Sequence, residues 1–211
     1  MITAAPNEKI IPRMNKTIQY MIYSEIITNS AWGLINPIIA VFMSEQIPGA
    51  NLTTAGIAST LYFVVKSLAQ IPFARYFDKN KGEKDDYYGL LLGGLGMALV
   101  PVLYIFVATP VHLYLVQIVY GLGAALMYPA WLAIFTRHID KQKEGIEWSL
   151  YYTSIDLAAA LTAALGGYLA YAIGFQKLFF IIGAVNLIGV LFLLGIRREL
   201  AGRKLNPLLK I

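Results

Sequence analysis

Apolar residues fall into six long runs separated by short polar segments. The runs cover roughly 18–42, 54–76, 87–107, 111–135, 147–172 and 178–196. Each is about 19 to 26 residues long, enough for a helix to cross a hydrocarbon core of about 30 Å. Lipid offers the backbone no hydrogen-bond partner, so runs of this length read as helices. The pattern predicts an all-α membrane protein with a six-helix domain over 18–197, flanked by tails 1–17 and 198–211.

Composition agrees: 58% of the chain is hydrophobic and 14% charged, against about 25% charged in a soluble domain. Lysine and arginine alternate from loop to loop. Lys9, Arg13 and Lys16 precede the first span; Arg75, Lys79, Lys81 and Lys84 follow the second; Arg137, Lys141 and Lys143 follow the fourth; Arg197, Arg198, Arg203, Lys204 and Lys210 follow the sixth. The two remaining segments carry only Lys177. The positive-inside rule then places both termini in the cytoplasm. The net charge of +5 follows from topology and argues for lipid head groups rather than nucleic acid as partners. With no cysteine, disulfide and thiol chemistry are excluded. No cleavable signal peptide is read at the start, so the first span is expected to target the chain itself.

Three charges lie well inside spans: Glu25 in the first, Lys66 in the second and Asp156 in the fifth. At 1.5 Å per residue they sit about 10–14 Å from the cytoplasmic ends. Charge in a membrane faces a bundle interior or a wet cavity. Spans one, two and five are therefore expected inward, and the uncharged third and sixth toward lipid. Lys66 is within reach of a pair with Asp156 or Glu25, either as a functional group or as a structural brace. Asn29, Asn36 and Gln117 add polar groups, and several tyrosines, Tyr62, Tyr128 and Tyr151 among them, are candidates to line the same path. Glu25 is the first candidate for carrying a proton, and Asp156 the second.

Asn36-Pro37 and Tyr128-Pro129 each precede a span end by about two turns, and proline removes a helical hydrogen bond. The echo suggests two related triplets of opposite orientation. In the fifth span Ala158, Thr162, Ala163, Gly166 and Gly167 form a small-residue face suited to close helix packing. His112 and His138 stand apart near span ends, and neither metal nor cofactor is expected. There is no G-x-x-x-x-G-K-[ST] nucleotide loop and no catalytic constellation, so the chain is not expected to be an enzyme.

Ala74-Arg75-Tyr76-Phe77-Asp78-Lys79, followed by Gly82, resembles the signature loop G-x-x-x-D-[RK]-x-G-[RK]-[RK] of the major facilitator superfamily. Ala74 stands at the first glycine, and one extra residue precedes Gly82. Gln117 to Ala125 resembles the family's R-x-x-x-G-x-G-A-A, with Gln117 at the arginine. Residues 158–167 resemble G-x-x-x-G-P-x-x-G-G, matching at the last two glycines. The resemblance covers one six-helix half of a twelve-helix family. It implies two inverted three-helix repeats, a parallel homodimer that completes the twelve helices, and secondary transport of a small solute by alternating access. It also implies that Asp78 meets the start of the second copy's fifth span, near Glu147 and Trp148, with Arg137 as a partner of Asp78 in its own protomer. Lys79 and Gly82 complete the gating segment. The expected location is the plasma (inner) membrane of a prokaryote. The alternatives are a half that pairs with a different polypeptide, and a scaffold or receptor that does not transport.

Overall fold

The computed structural model of the protein describes residues 14–79 and 83–202. Gly82 and both outer tails, with Lys81, Lys9, Arg13 and residues 203–211, lie outside the described residues. Among these the chain is helical almost throughout: α1 Lys16–Ile35, α2 Ile39–Glu45, α3 Leu52–Lys79, α4 Lys84–Tyr104, α5 Pro110–His138, α6 Glu144–Ile173 and α7 Phe175–Phe192, then a 3₁₀ turn Leu193–Gly195 and α8 Ile196–Gly202. Five helices are long and apolar enough to span a membrane, and α1 with α2 makes a sixth, bent span.

Local chemistry sets the boundaries. Asn15 accepts from the Thr17 amide at 2.9 Å, capping α1. The Asn51 side chain accepts from the Thr54 amide at 3.0 Å while Thr54 Oγ1 accepts from the Asn51 amide at 3.2 Å, a reciprocal cap on α3. Gly174, at φ +80°, is the single residue between α6 and α7, a conformation that costs glycine little.

The two prolines of the sequence echo behave differently. At Pro37 the first span breaks by 44° between α1 and α2. The ring cannot donate to the preceding turn, and Ile38 bonds instead to Ile35 in a tighter 2.9 Å turn. Pro129 sits inside a continuous α5, as do Pro72 in α3 and Pro101 in α4. A second correction concerns the Ala74–Lys79 segment. It is the last turns of α3 rather than a loop, because a helix does not stop where its apolar residues do. Arg137 likewise lies on the last turn of α5.

Helix α5 packs on α3 and α4, α1 packs on α6 and α7, and α4 packs on α7. Exchanging spans one, two and three for four, five and six maps these pairings onto themselves. Successive spans alternate in direction, so the exchange is an inversion, as expected of inverted repeats. Close approaches sit on these seams. A methyl group on Gly93 would lie 2.6 Å from the Met127 amide nitrogen, and one on Gly121 would lie 2.9 Å from the Tyr62 carbonyl oxygen. Ser24 donates to the Gly189 carbonyl at 2.7 Å, tying α1 to α7.

The third and sixth spans, expected toward lipid, also meet each other. Helices α4 and α7 pack against each other, and about half of each is buried. Their other faces expose Leu92, Leu95 and Leu99, and Phe180, Leu187 and Leu191. The least buried spans are the second and fifth: 6% of the apolar window of α3 and 11% of that of α6 are covered. Within this six-helix bundle the helices carrying Lys66 and Asp156 are thus peripheral. Six helices cannot enclose two strips at opposite edges of their own bundle.

Candidate functional site

Side chains from three helices meet at mid-span. Trp32 of α1 stacks on Tyr120 of α5 with ring centres 5.1 Å apart and planes 8° from parallel. Tyr120 continues to Tyr62 of α3, at 4.4 Å. One turn along α3, Lys66 places its Nζ 4.0 Å from the centre of the Tyr128 ring and 5.9 Å from that of Tyr62. The ring faces carry partial negative charge and hold the ammonium. Among the described residues Lys66 makes no ion pair, so the expected Lys66 pair with Asp156 or Glu25 is not formed. Equal depth along two helices does not make two side chains neighbours, and Lys66 leaves α3 on the side of α5.

The carboxylates occupy the other side. Glu25 is half-buried on α1, and Asn29 one turn later donates to its Oε2 at 2.9 Å. The same amide nitrogen bonds the Glu25 carbonyl at 2.9 Å, which fixes the Asn29 rotamer. Asp156 is exposed on α6. Tyr151 of α6 packs against Trp131 of α5, with ring centres 4.8 Å apart. Glu25 with Asn29, Lys66 and Asp156 thus stand on three different helices, α1, α3 and α6.

Two other expected cavity residues do not join them. Gln117 is 2% exposed, and its amide donates to the Tyr104 hydroxyl at 2.9 Å inside the α4–α5 seam. Asn36 caps the break after α1, with its backbone N–H on the Trp32 carbonyl and its side chain exposed. The glycine pair is also split. A methyl group on Gly166 would strike the Leu34 carbonyl, whereas one on Gly167 would meet nothing within 4 Å. Only Gly166 packs within the protomer, because adjacent helix positions point about 100° apart.

At the positively charged end Arg137 bonds the Asp86 carboxylate, which is fully buried, and lies 3.8 Å from Glu83 Oε1. This corrects the expected Arg137–Asp78 pair. Asp78 and Lys79 are exposed on the last turn of α3, while Asp86 opens α4 directly across the α4–α5 seam. His138 is not isolated: its Nδ1 is 2.9 Å from the Ile134 carbonyl and 3.5 Å from Glu83 Oε1. Asp86 escaped the sequence reading because it precedes the apolar run. An acidic pair opening one helix and an arginine closing its antiparallel neighbour is the signal that marks it. Below this network Trp131, Phe135, Trp148 and Tyr151 pack as an aromatic cluster, with Trp131 and Phe135 stacked at 4.6 Å.

The Major Facilitator Superfamily sequence model matches residues 22–208. Among solved structures, a mutant of the peptide transporter POT in complex with alafosfalin is similar with a TM-score of 0.74 at 15% identity, over 93% of this chain and 41% of that one. An auto-inhibited POT family peptide transporter is similar with a TM-score of 0.66 at 12% identity, over 92% of this chain and 39% of that one. At such identities the likeness is one of fold. The chain spans about two fifths of the length of these transporters. A search of curated proteins finds no match.

Proposed function

This chain belongs to the major facilitator superfamily, whose members are membrane transporters and not enzymes, and we propose that it works as one half of a secondary active transporter for a small solute. Two copies assemble in parallel, both termini cytoplasmic, and alternate the access of a shared cavity by rocking of one copy against the other. The location is the inner membrane of a prokaryote. The observation that carries this reading is the open pair of faces on α3 and α6. Those helices bear Lys66 and Asp156, and charge at membrane depth is costly unless it faces protein or water. A second copy related by an axis along the membrane normal supplies that cover, as one half of a full-length family member does for the other. The small, uncovered strip around Gly167 suits a close helix contact with that copy.

Cysteine cross-linking tests the assembly, since no native cysteine interferes. Ser59 and Gly167 are both exposed, on α3 and α6. Ser59→Cys with Gly167→Cys is expected to link two copies, and Leu92→Cys on the outer face of α4 is expected not to. Efficient links through Leu92 alone would overturn the arrangement. A wholly monomeric chain that transports only with a second polypeptide would replace the homodimer by a heterodimer.

In proton-coupled transport Glu25 is the carrier. It is half-buried at membrane depth, and Asn29 donates to its carboxylate at 2.9 Å. Glu25→Gln is expected to retain solute exchange in liposomes while accumulation under a proton gradient falls to simple equilibration. Full accumulation by this variant would assign the proton elsewhere.

Asp78 steadies the cytoplasmic gate by meeting the start of α6 in the other copy, together with Lys79 and Gly82. A carboxylate at a helix start is worth about 0.3–1 kcal/mol when exposed. Asp78→Asn is therefore expected to shift the inward–outward balance by roughly two- to fivefold, with unchanged insertion and unchanged protomer melting. An accessibility assay from each side of the membrane reads the balance. No shift removes the gating role.

A further inference from the structure

Helices α3 and α4 both pack on α5 but scarcely on each other. A cleft of about 690 Å³ opens between them, with Leu126 of α5 as its floor. That is ligand-sized, on the scale of about 300–1,000 Å³. Its lining is ordered along its length. Pro72 and Phe73 of α3 and Leu92 of α4 form one end, and Lys84 and Asp85 of α4 form the other. Tyr76 and Tyr88 stand between them, both more than half exposed. At 1.5 Å per residue Leu92 lies about 12 Å from Lys84 along α4. That is most of one leaflet of a hydrocarbon core about 30 Å thick. The charged end falls outside the apolar runs of the sequence and the leucine end inside them. The cleft therefore runs from the membrane surface about one leaflet deep.

That order dictates the occupant. Leu92 is 61% exposed on the outer face of α4, so the cleft opens sideways to lipid. Pro72, Phe73, Leu92 and Leu126 offer water no side-chain partner, so the deep end takes hydrocarbon. The mouth is basic. Lys84 is exposed, and Lys79 lies on the same stripe of α3 as Pro72 and Tyr76, at the i, i+4, i+7 spacing. Glu83 and Asp86 are turned to Arg137 across the α4–α5 seam, so Asp85 is the carboxylate that lines the cleft. Two ammonium groups against one carboxylate attract a lipid phosphate, and the carboxylate accepts from head-group hydroxyls. A parallel second copy would bring its own lysine-rich end to this level, the wrong charge for the mouth. We propose that the cleft seats one phospholipid with an anionic, hydroxyl-bearing head group of the phosphatidylglycerol type. Its phosphate lies at Lys84, and one acyl chain runs along Phe73 and Leu92.

The test is lipid binding by the purified full chain, stripped of lipid in mild detergent and titrated while native mass spectrometry counts the lipids retained. The probes are dioleoyl phosphatidylglycerol, the phosphatidylethanolamine and phosphatidylcholine with the same chains, and glycerophosphoglycerol, which has the head group and no chains. One phosphatidylglycerol is expected to bind at least tenfold tighter than either zwitterionic lipid, and the chainless head group is expected not to displace it. Lys84→Gln is expected to erase that preference. Leu92→Trp, which fills the apolar end from an exposed position, is expected to weaken phosphatidylglycerol tenfold or more. Lys141→Gln is the control: this lysine is exposed at the same end but does not line the cleft. Diffuse attraction is worth about fivefold per basic residue near an anionic surface, so this variant is expected to keep the preference. All three positions are exposed, so melting within a few degrees of the wild type is expected. Equal losses from Lys84→Gln and Lys141→Gln would show a charged surface without a seat, and that result overturns the proposal. So do equal binding of the three lipids, displacement by the chainless head group, or unchanged binding by Leu92→Trp. Efficient links between two copies through Tyr88→Cys would give the cleft to a second copy and overturn it as well. If phosphatidylglycerol binds as expected and liposomes take up no solute, the lipid seat stands and the transport reading falls.

Discussion

Gly166→Val is expected to be the most damaging single substitution in the chain. A side chain there would be driven into the Leu34 carbonyl, backbone against backbone, where α6 crosses α1. Inserting extra carbon into a packed interior typically costs about 1–3 kcal/mol because side chains can shift. Here the obstacle is the Leu34 backbone rather than a side chain, so the two helices have to separate. Across the same crossing, a methyl group on Gly33 would meet the Thr162 hydroxyl and lie 2.9 Å from the Ala159 backbone. The contact is thus two glycines deep and has no slack. The expected result is loss of folded protein, or a melting temperature in mild detergent lowered by ten degrees or more, the usual scale for several kcal/mol in a domain of this size. Gly167→Val is the control. With nothing within 4 Å of the added carbon, the protomer should melt within a few degrees of the wild type. In the proposed dimer the same substitution should reduce cross-linking through α6. Equal melting of both variants would show that the α1–α6 crossing does not hold the bundle.

That pair of glycines shows what a sequence displays and what it hides. Hydropathy gives the number of spans and the depth of each residue along them, because both depend on chain position alone. It does not give the azimuth. Glu25, Lys66 and Asp156 share a depth, which suggests a pairing, yet Lys66 leaves α3 toward Tyr128 and the carboxylates stand on α1 and α6. Gln117 has the depth of a cavity residue and the azimuth of a seam residue. The same gap explains the third and sixth spans. Their lack of charge is visible in the sequence, whereas their mutual contact depends on how the two triplets close on each other. Gly166 and Gly167 were read as one packing face, and the structure splits them, because neighbouring helix positions point in different directions. The α1 break at Pro37 was readable, but nothing local distinguishes it from Pro129. Pro37 ends α1, whereas Pro129 lies inside the continuous α5.

Arg137→Met is expected to destabilise the protomer by about 3–5 kcal/mol, the usual consequence of removing one partner from a buried ion pair. The asymmetry of exposure decides which partner matters. The Arg137 side chain is 38% exposed and retains water when its partner is lost, whereas the Asp86 side chain is 0% exposed. One oxygen of Asp86 already has no hydrogen-bond partner, so without Arg137 a buried carboxylate stands almost alone. Asp86→Asn should cost less than Arg137→Met, because the arginine keeps Glu83 at 3.8 Å and the amide carries no net charge. The double substitution Arg137→Met with Asp86→Asn should then recover much of the loss, and melting of the four proteins gives the coupling directly. Asp78→Asn, one helix away and exposed, should leave melting unchanged while shifting the gate. Additive losses for Arg137 and Asp86, or a melting effect of Asp78→Asn as large as theirs, would return the arginine to Asp78. The contrast separates the two acidic residues by role. Asp86 locks α4 to α5 through Arg137, and Asp78 takes no part in that lock.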